Sequence, residues 1–539
     1  EGREGREGRE GREGREGREG PGGGAAAGLA AVVAVCGWDG HDGGTGGSGG
    51  FAAPVAAVAA RLARDARPPD PRYVGDAWRD LWAARLEALD PVPQEVAPLD
   101  HGAVRVPVLA VGGWYDPYRD SVLRLVERVP RGLVRGVLGP WPHRYPDQGE
   151  PPGPAIGFLQ ETLRWWDHHL KGADNGVMAE PLLRSWTRGW RGDDAWPPPH
   201  VTPVTYALHG SPVTVRSPLH TGLDAGRFAP SGGDADLPPD QRTEDAHSAC
   251  FDFPVPVDGA PVEILGRPLV HLALKGGADG APRAQLVARL CDVAPDGTST
   301  LVTRGTVAFR TEEGASRTYT CELGAAGHSF PPGHRVRIAV SSAYWPWVWP
   351  EPGAADTFTL DPAGSSLRLP VRSPAPHDAT VGFAAPEQAE PLAVSVPVML
   401  DEAAGARPPL LVVRDVARGA WRLEADPCSD EHGSVRTYPD GLELTEEAHE
   451  TYGVDASGPR SARVEAEWHI RLHRPDLPWN ATVEVRSETT WTDGTGQTHE
   501  TDPTGGLLTR TELVCGLVSG DGHDEVVFHR TWEKVTPRP

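Results

Sequence analysis

The stretch from Val106 to His143 limits what this chain can fold into more than any other. Val106-Pro-Val-Leu-Ala-Val111 is an apolar run, closed at once by Gly112-Gly-Trp-Tyr-Asp116. Leu133-Val-Arg-Gly-Val-Leu138 is a second β-type run, closed by Gly139-Pro-Trp-Pro-His143. Short continuous runs of this kind, bounded by turn signals, suit strands buried on both faces. Between them Arg119–Val129 carries Val122, Leu125, Val126 and Val129 at helical spacing. A strand–loop–helix–strand–loop unit belongs to a parallel sheet with crossover helices. Ligands meet such sheets at the loops beyond the carboxyl ends of the strands. Asp116 and His143 occupy two such loops, one βα repeat apart, so the pattern predicts that they touch. An Asp after a strand is also a common turn or cap residue, and a His after Gly-Pro-Trp can be a packed loop residue.

In an α/β-hydrolase the last two triad members, an acid and then a histidine, occupy loops of this type. Three motifs in order, GGWYD at Gly112–Asp116, GPWPH at Gly139–His143 and LRWWDHHLKGADNGV at Leu163–Val177, resemble the CocE/NonD family of serine hydrolases, which takes in esterases and X-prolyl dipeptidyl-peptidases. The similarity runs from about Gly28 through most of the chain. It implies that Asp116 and His143 are the catalytic acid and base. It also implies that Trp114, Tyr115 and Trp141 shape the substrate pocket. The implied substrate is a small ester or short peptide, with no metal and no organic cofactor.

The nucleophile is harder to place. The family elbow, Gly-x-Ser-x-Gly, would lie upstream of the Gly28–Cys36 run. Six Glu-Gly-Arg repeats and a Gly-rich run stand there instead, and residue 1 is Glu. The expectation is an N-terminally truncated, incomplete α/β-hydrolase domain, a fragment or a misassigned reading frame, whose nucleophile is missing. Ser48, in Gly46-Gly-Ser-Gly-Gly50, matches the motif by letters but follows no strand. Cys36 does follow a strand, and a Cys nucleophile is chemically sound. Yet Trp38 stands where an elbow wants a small residue, so a structural thiol is expected. Ser121 is expected to be exposed or capping. His168 and His169 are adjacent, point to different faces and are read as structural. A non-catalytic remnant acting as a β-rich binding module is the alternative.

The rest of the chain divides by pattern. Residues 1–24 are low-complexity and expected to be disordered. Residues 25–200 hold the α/β part, with Ala77–Leu89 as a cap helix carrying Trp78, Leu81, Trp82, Leu86 and Leu89 on one face. Residues 201–400 alternate short β-type runs with Gly/Pro turns, which predicts an antiparallel β-sandwich. Asp296-Gly297 is a hairpin signal there. LCDVAPDG at Leu290–Gly297 and the run Pro331–Pro352 resemble the family's C-terminal jelly-roll domain. The first reading of these phrases is structural; an exposed aromatic rim made by Tyr344, Trp345, Trp347 and Trp349 is the alternative. Residues 401–539 continue as a further β-rich region, with strong alternation over Ala481–Trp491. The fold class is therefore α/β plus all-β.

Charge and cysteine usage bound the function. With 52 Lys and Arg against 75 Asp and Glu the formal charge is −23, which argues against nucleic acid or an anionic membrane as partner. No apolar run is long enough to span a bilayer. Six scattered cysteines without a CxxC pair predict reduced, buried thiols and a cytoplasmic setting.

Overall fold

The computed structural model describes residues 28–41, 53–90, 98–147, 153–226, 237–276, 283–310, 316–387, 393–395, 409–428, 434–492, 506–519 and 524–537. The Glu-Gly-Arg repeats and Ser48 lie outside them.

The first layer follows the chain as β1 (Val32–Val35), α1 (Ala53–Asp65), α2 (Pro71–Val74), α3 (Trp78–Glu87), β2 (Val108–Gly113), α4 (Arg119–Arg128), β3 (Val134–Gly139), α5 (Phe158–Lys171), β4 (Leu183–Trp186) and β5 (Trp190–Asp193). The strands form one sheet in the order β1-β2-β3-β4-β5, parallel except for the β4–β5 hairpin. Val111 stands opposite Val35 on one side and Val137 on the other. Every residue of β2 is buried, as its unbroken apolar run requires. Val108 and Ala110 face a core shared with Val122, Leu123 and Val126 of α4. Leu109 and Val111 face the opposite core, shared with Phe158 and Trp165 of α5. The sheet is thus covered on both sides, and its loops are held at fixed positions by two independent cores.

The helices α1 and α3 pack elsewhere. Trp78, Trp82 and Leu86 enter a core with Trp468, Trp479, Val483 and Leu513, far along the chain. Leu81, expected on that face, is 47% exposed. The buried stripe is the narrow i, i+4, i+8 row, which meets the end of α1 through Trp82 and the Trp479 ring through Trp78. The Trp82 indole donates to the Ala66 carbonyl at 2.7 Å, which fastens α3 to the end of α1. Arg474, fully buried, pairs with Asp70 and Asp440 and ties the start of α2 to the last region.

Residues 201–372 form two facing antiparallel sheets. Leu286, Ala288, Ile338 and Val340 of one meet Val270, Leu272, Leu360 and Leu367 of the other in a single core. Gly297, at φ +91°, turns the hairpin between the strands Arg283–Val293 and Ser299–Arg310. Of the two readings of the aromatic cluster, the structural one holds and the rim does not. Tyr344, Trp345, Trp347 and Trp349 are 1%, 0%, 3% and 4% exposed. Trp345 and Trp349 belong to the core with α1, α3 and the C-terminal sheet, and Tyr344 and Trp347 pack on Ala225 and Val287. A third domain layer covers what the local sequence leaves open. The α/β sheet is joined to the sandwich by charge: Arg372, fully buried, bridges Asp193 of β5, Glu263 and Asp378.

Residues 410–537 make a meandering antiparallel sheet ending in Trp479–Thr492, Gly506–Val518 and Asp524–Pro537. In Trp479–Thr492 the residues Ala481, Val483, Val485, Ser487 and Thr489 are buried while Glu484, Arg486 and Glu488 face water, as the alternation predicts. All six cysteines are unpaired; Cys291, Cys321 and Cys515 are buried, but Cys36 and Cys428 are half-buried and Cys250 is exposed, against the expectation of buried thiols. No helix among the described residues is long and apolar enough to cross a membrane.

Candidate active site

The two loops that follow β2 and β3 are laced together by their backbones. Trp114 N–H donates to the Gly139 carbonyl at 2.9 Å, and Tyr115 N–H to the Trp141 carbonyl at 3.1 Å. This close approach explains Gly113: a Cβ there would collide with the Trp141 backbone. Gly139 likewise leaves room for the Trp141 ring folded over it.

Asp116 is fully buried at the first loop. Its Oδ1 accepts the Tyr118 N–H at 2.8 Å, an Asx turn that leads into α4. The same oxygen stands 3.3 Å from His143 Nδ1. Its Oδ2, also buried, has no hydrogen-bond partner among the described residues. The His143 side chain is 44% exposed, so the pair has a closed acid end and an open base end. The Tyr118 ring meets the imidazole edge-on at 5.6 Å. The hydrogen bond to Asp116 raises the His143 pKa above its ordinary value, against the opposing effect of burial. A carboxylate that fixes the Nδ1–H tautomer leaves Nε2 free to take a proton from a nucleophile.

Cys36 joins this pair, which its place in the sequence does not reveal. It ends β1 with φ +49°, the one described non-glycine residue in the left-handed region. Its Sγ, the Asp116 carboxylate and a His143 ring nitrogen all lie within 4.8 Å of one another. The thiol points to the Arg144 carbonyl at 3.8 Å. Burial and then the Asp116 charge push the thiol up, so at neutral pH it stays protonated and is a poor nucleophile.

A second cluster sits beside the first. Asp39 accepts from Arg124 Nε and Nη2 at 2.7 Å each, from Ser121 Oγ at 3.1 Å, and lies 3.0 Å from His101 Nε2. Ser121 is therefore buried at 1% exposed and engaged, not exposed or capping. Asp39 and Arg124 carry no local motif; only their pairing across 85 residues gives them meaning.

The aromatic residues are placed as follows. The Trp114 indole donates to the Trp186 carbonyl at 2.7 Å and the Trp141 indole to the Pro154 carbonyl at 2.9 Å. Both rings are buried in the cores flanking the sheet. Tyr115 is half-buried, and burial raises its phenol pKa. His168 donates from Nδ1 to the Ala173 carbonyl at 2.9 Å, and His169 packs edge-on against Trp165 at 4.3 Å. Tyr118 is the neighbour of the pair that sequence reasoning missed; an aromatic two residues after a turn aspartate was the available signal.

Residues 26–145 match the X-Pro dipeptidyl-peptidase (S15) family, and residues 163–382 match the X-Pro dipeptidyl-peptidase C-terminal non-catalytic domain. The chain is similar to the cocaine esterase of Rhodococcus sp., with 26% identity over 289 residues, which cover 46% of this chain and 50% of that protein. A protein of Mycobacterium bovis named as a serine esterase is 26% identical over 321 residues, half of each chain. The chain spans about half the length of the curated relatives it matches. Among solved structures, a CocE/NonD family hydrolase from Staphylococcus aureus aligns with TM-score 0.43 and 12% identity, covering 64% of this chain and 67% of that one. The chain is thus similar over residues 26–145 to the X-Pro dipeptidyl-peptidase (S15) family and over residues 163–382 to the C-terminal non-catalytic domain of X-Pro dipeptidyl-peptidases, and it resembles hydrolases of the CocE/NonD type.

Proposed function

We propose that the chain carries the acid–base half of a CocE/NonD-type serine hydrolase acting on a small ester or an X-Pro peptide. The observation that supports this best is the Asp116–His143 pair, with a buried carboxylate and an open imidazole on the ends of neighbouring parallel strands. In this reaction His143 takes the proton of a serine hydroxyl as it attacks the carbonyl, then returns it to the leaving group. Asp116 holds the tautomer and stabilises the imidazolium. Tyr115 and Tyr118, half-buried beside the pair, border the space a substrate would enter. Trp114 and Trp141 set the loop geometry, since both indoles are engaged with backbone carbonyls. The nucleophile in this proposal is none of the described serines: Ser121, inside α4, is committed to Asp39.

A fluorophosphonate probe and an aryl-ester assay test the proposal together. The described serines are expected to stay unlabelled and the chain by itself to show little ester turnover; whatever turnover it shows is expected to fall by on the order of 10²–10⁴ on His143→Ala. Labelling at Ser48 would place the nucleophile inside this chain. Measurable turnover that His143→Ala leaves unchanged would remove the proton relay and leave a β-rich binding module as the better description.

A further inference from the structure

Two groups of metal-ligating side chains converge among the described residues: Cys36, Asp116 and His143, and Asp39, His41 and His101. The second is already filled in the electrostatic sense, because the Arg124 guanidinium occupies both Asp39 oxygens at 2.7 Å. A cation there would face a fixed positive charge. In the first no guanidinium sits on the carboxylate oxygens; the nearest, Arg119, reaches only the Asp116 backbone carbonyl, at 3.5 Å. Asp116 is fully buried, and its Oδ2 has no hydrogen-bond partner among the described residues. A buried carboxylate oxygen left without a partner is costly.

We propose that Cys36, Asp116 and His143 form a binding site for a zinc-class divalent cation. Thiolate, imidazole and carboxylate are a donor set that favours Zn²⁺ and Co²⁺ over hard cations such as Mg²⁺ or Ca²⁺. In a tetrahedral zinc site, ligand atoms are spaced by roughly 3.3–3.6 Å. His143 Nδ1 and Asp116 Oδ1 are 3.3 Å apart, and the three donors lie within 4.8 Å of one another. Rotation of the Cys36 side chain away from the Arg144 carbonyl supplies the remaining contraction. The left-handed turn at Cys36 brings the thiol to this position as β1 ends. Three protein ligands leave a fourth position open, and the exposed side of His143 gives it an entrance from solvent. Binding releases the thiol proton to solvent and moves the imidazole proton of His143 from Nδ1 to Nε2, which frees the Nδ1 lone pair for the ion. The bound ion offsets the two charges, thiolate and carboxylate, that burial otherwise disfavours.

Binding does not depend on the hydrolase proposal. On that proposal, however, the same ion takes up the Asp116 and His143 lone pairs and blocks the relay. The test therefore reads binding and not turnover. The purified chain, stripped with a chelator, is titrated with Co²⁺ and followed by absorption. One Co²⁺ per chain is expected, with a near-ultraviolet thiolate-to-cobalt band that Zn²⁺ displaces. Cys36→Ser should abolish the band, and Cys250→Ser, at the exposed cysteine, should keep it. Asp116→Asn and His143→Ala should each weaken Co²⁺ binding by at least about tenfold, and they carry the test if Cys36→Ser fails to fold. A folded chain that shows no band, a band that survives Cys36→Ser, or affinity indifferent to both Asp116→Asn and His143→Ala overturns the site.

Discussion

Arg124 grips Asp39 by both carboxylate oxygens, with Nε and Nη2 each 2.7 Å from one of them. The bond joins the segment after β1 to α4, and both side chains are at least nine-tenths buried. Burial by itself would raise the Asp39 pKa, but the hydrogen bonds and charge of Arg124 outweigh it and hold the carboxyl well below its usual range. Asp39→Asn leaves the guanidinium buried without its counter-charge. A loss of about 3–5 kcal/mol is expected, read as a lower denaturant midpoint. The sign with pH follows. The folded pKa is depressed, so the contribution is present above the unfolded value of about 3.9 and is lost as pH falls below it toward the folded value. The wild type should therefore lose stability on acidification below about pH 4 more steeply than Asp39→Asn.

Gly113→Ala tests whether the two site loops depend on close approach. Its Cβ would strike the Trp141 backbone, which cannot rotate away. Destabilisation of about 1–3 kcal/mol is expected, with a lower Tm. Gly132→Ala, where a Cβ meets nothing within 4 Å, is the matched control and should be near neutral. Equal Tm values for the two variants would mean that the loops tolerate separation.

His220 stacks on Trp421 at 4.3 Å with an interplanar angle of 17°, where a sandwich loop meets the C-terminal sheet. Burial, then the nearby His247 and Arg414, push its imidazole down to about 4. The folded state therefore binds this proton less readily than the unfolded chain. Stability should decline as pH falls from about 6.5 toward that value. His220→Phe keeps the stacking and removes one titrating group, so urea midpoints at neutral and mildly acidic pH should converge. His247, itself pushed down by burial, leaves a residual slope. A slope unchanged in His220→Phe would assign the effect to other groups.

The β2–α4–β3 unit was legible because its apolar runs have one reading: strands covered on both faces by helices. The Asp116–His143 contact followed from that, since parallel neighbours put their carboxyl ends side by side. The alternation in Trp479–Thr492 was legible for the opposite reason, one buried face and one wet face. What was not legible depends on partners distant in sequence. A rim at Tyr344, Trp345, Trp347 and Trp349 stayed open as an alternative to packing because nothing local shows the layer that buries Trp345 and Trp349. Ser121 read as a surface residue because its partner, Asp39, lies 82 residues earlier. Cys36 read as an inert thiol because its neighbours arrive from β2 and β3. Leu81 was misplaced because helical period alone does not set the width of a buried stripe.

The proton relay is tested most directly by the titration of His143, followed by NMR in the wild type and in Asp116→Asn. The hydrogen bond from Asp116 should place the wild-type pKa above the ordinary value of about 6.5. Asp116→Asn should lower it, since burial is then unopposed. A His143 that titrates at the ordinary value, and identically in both proteins, would contradict the pairing.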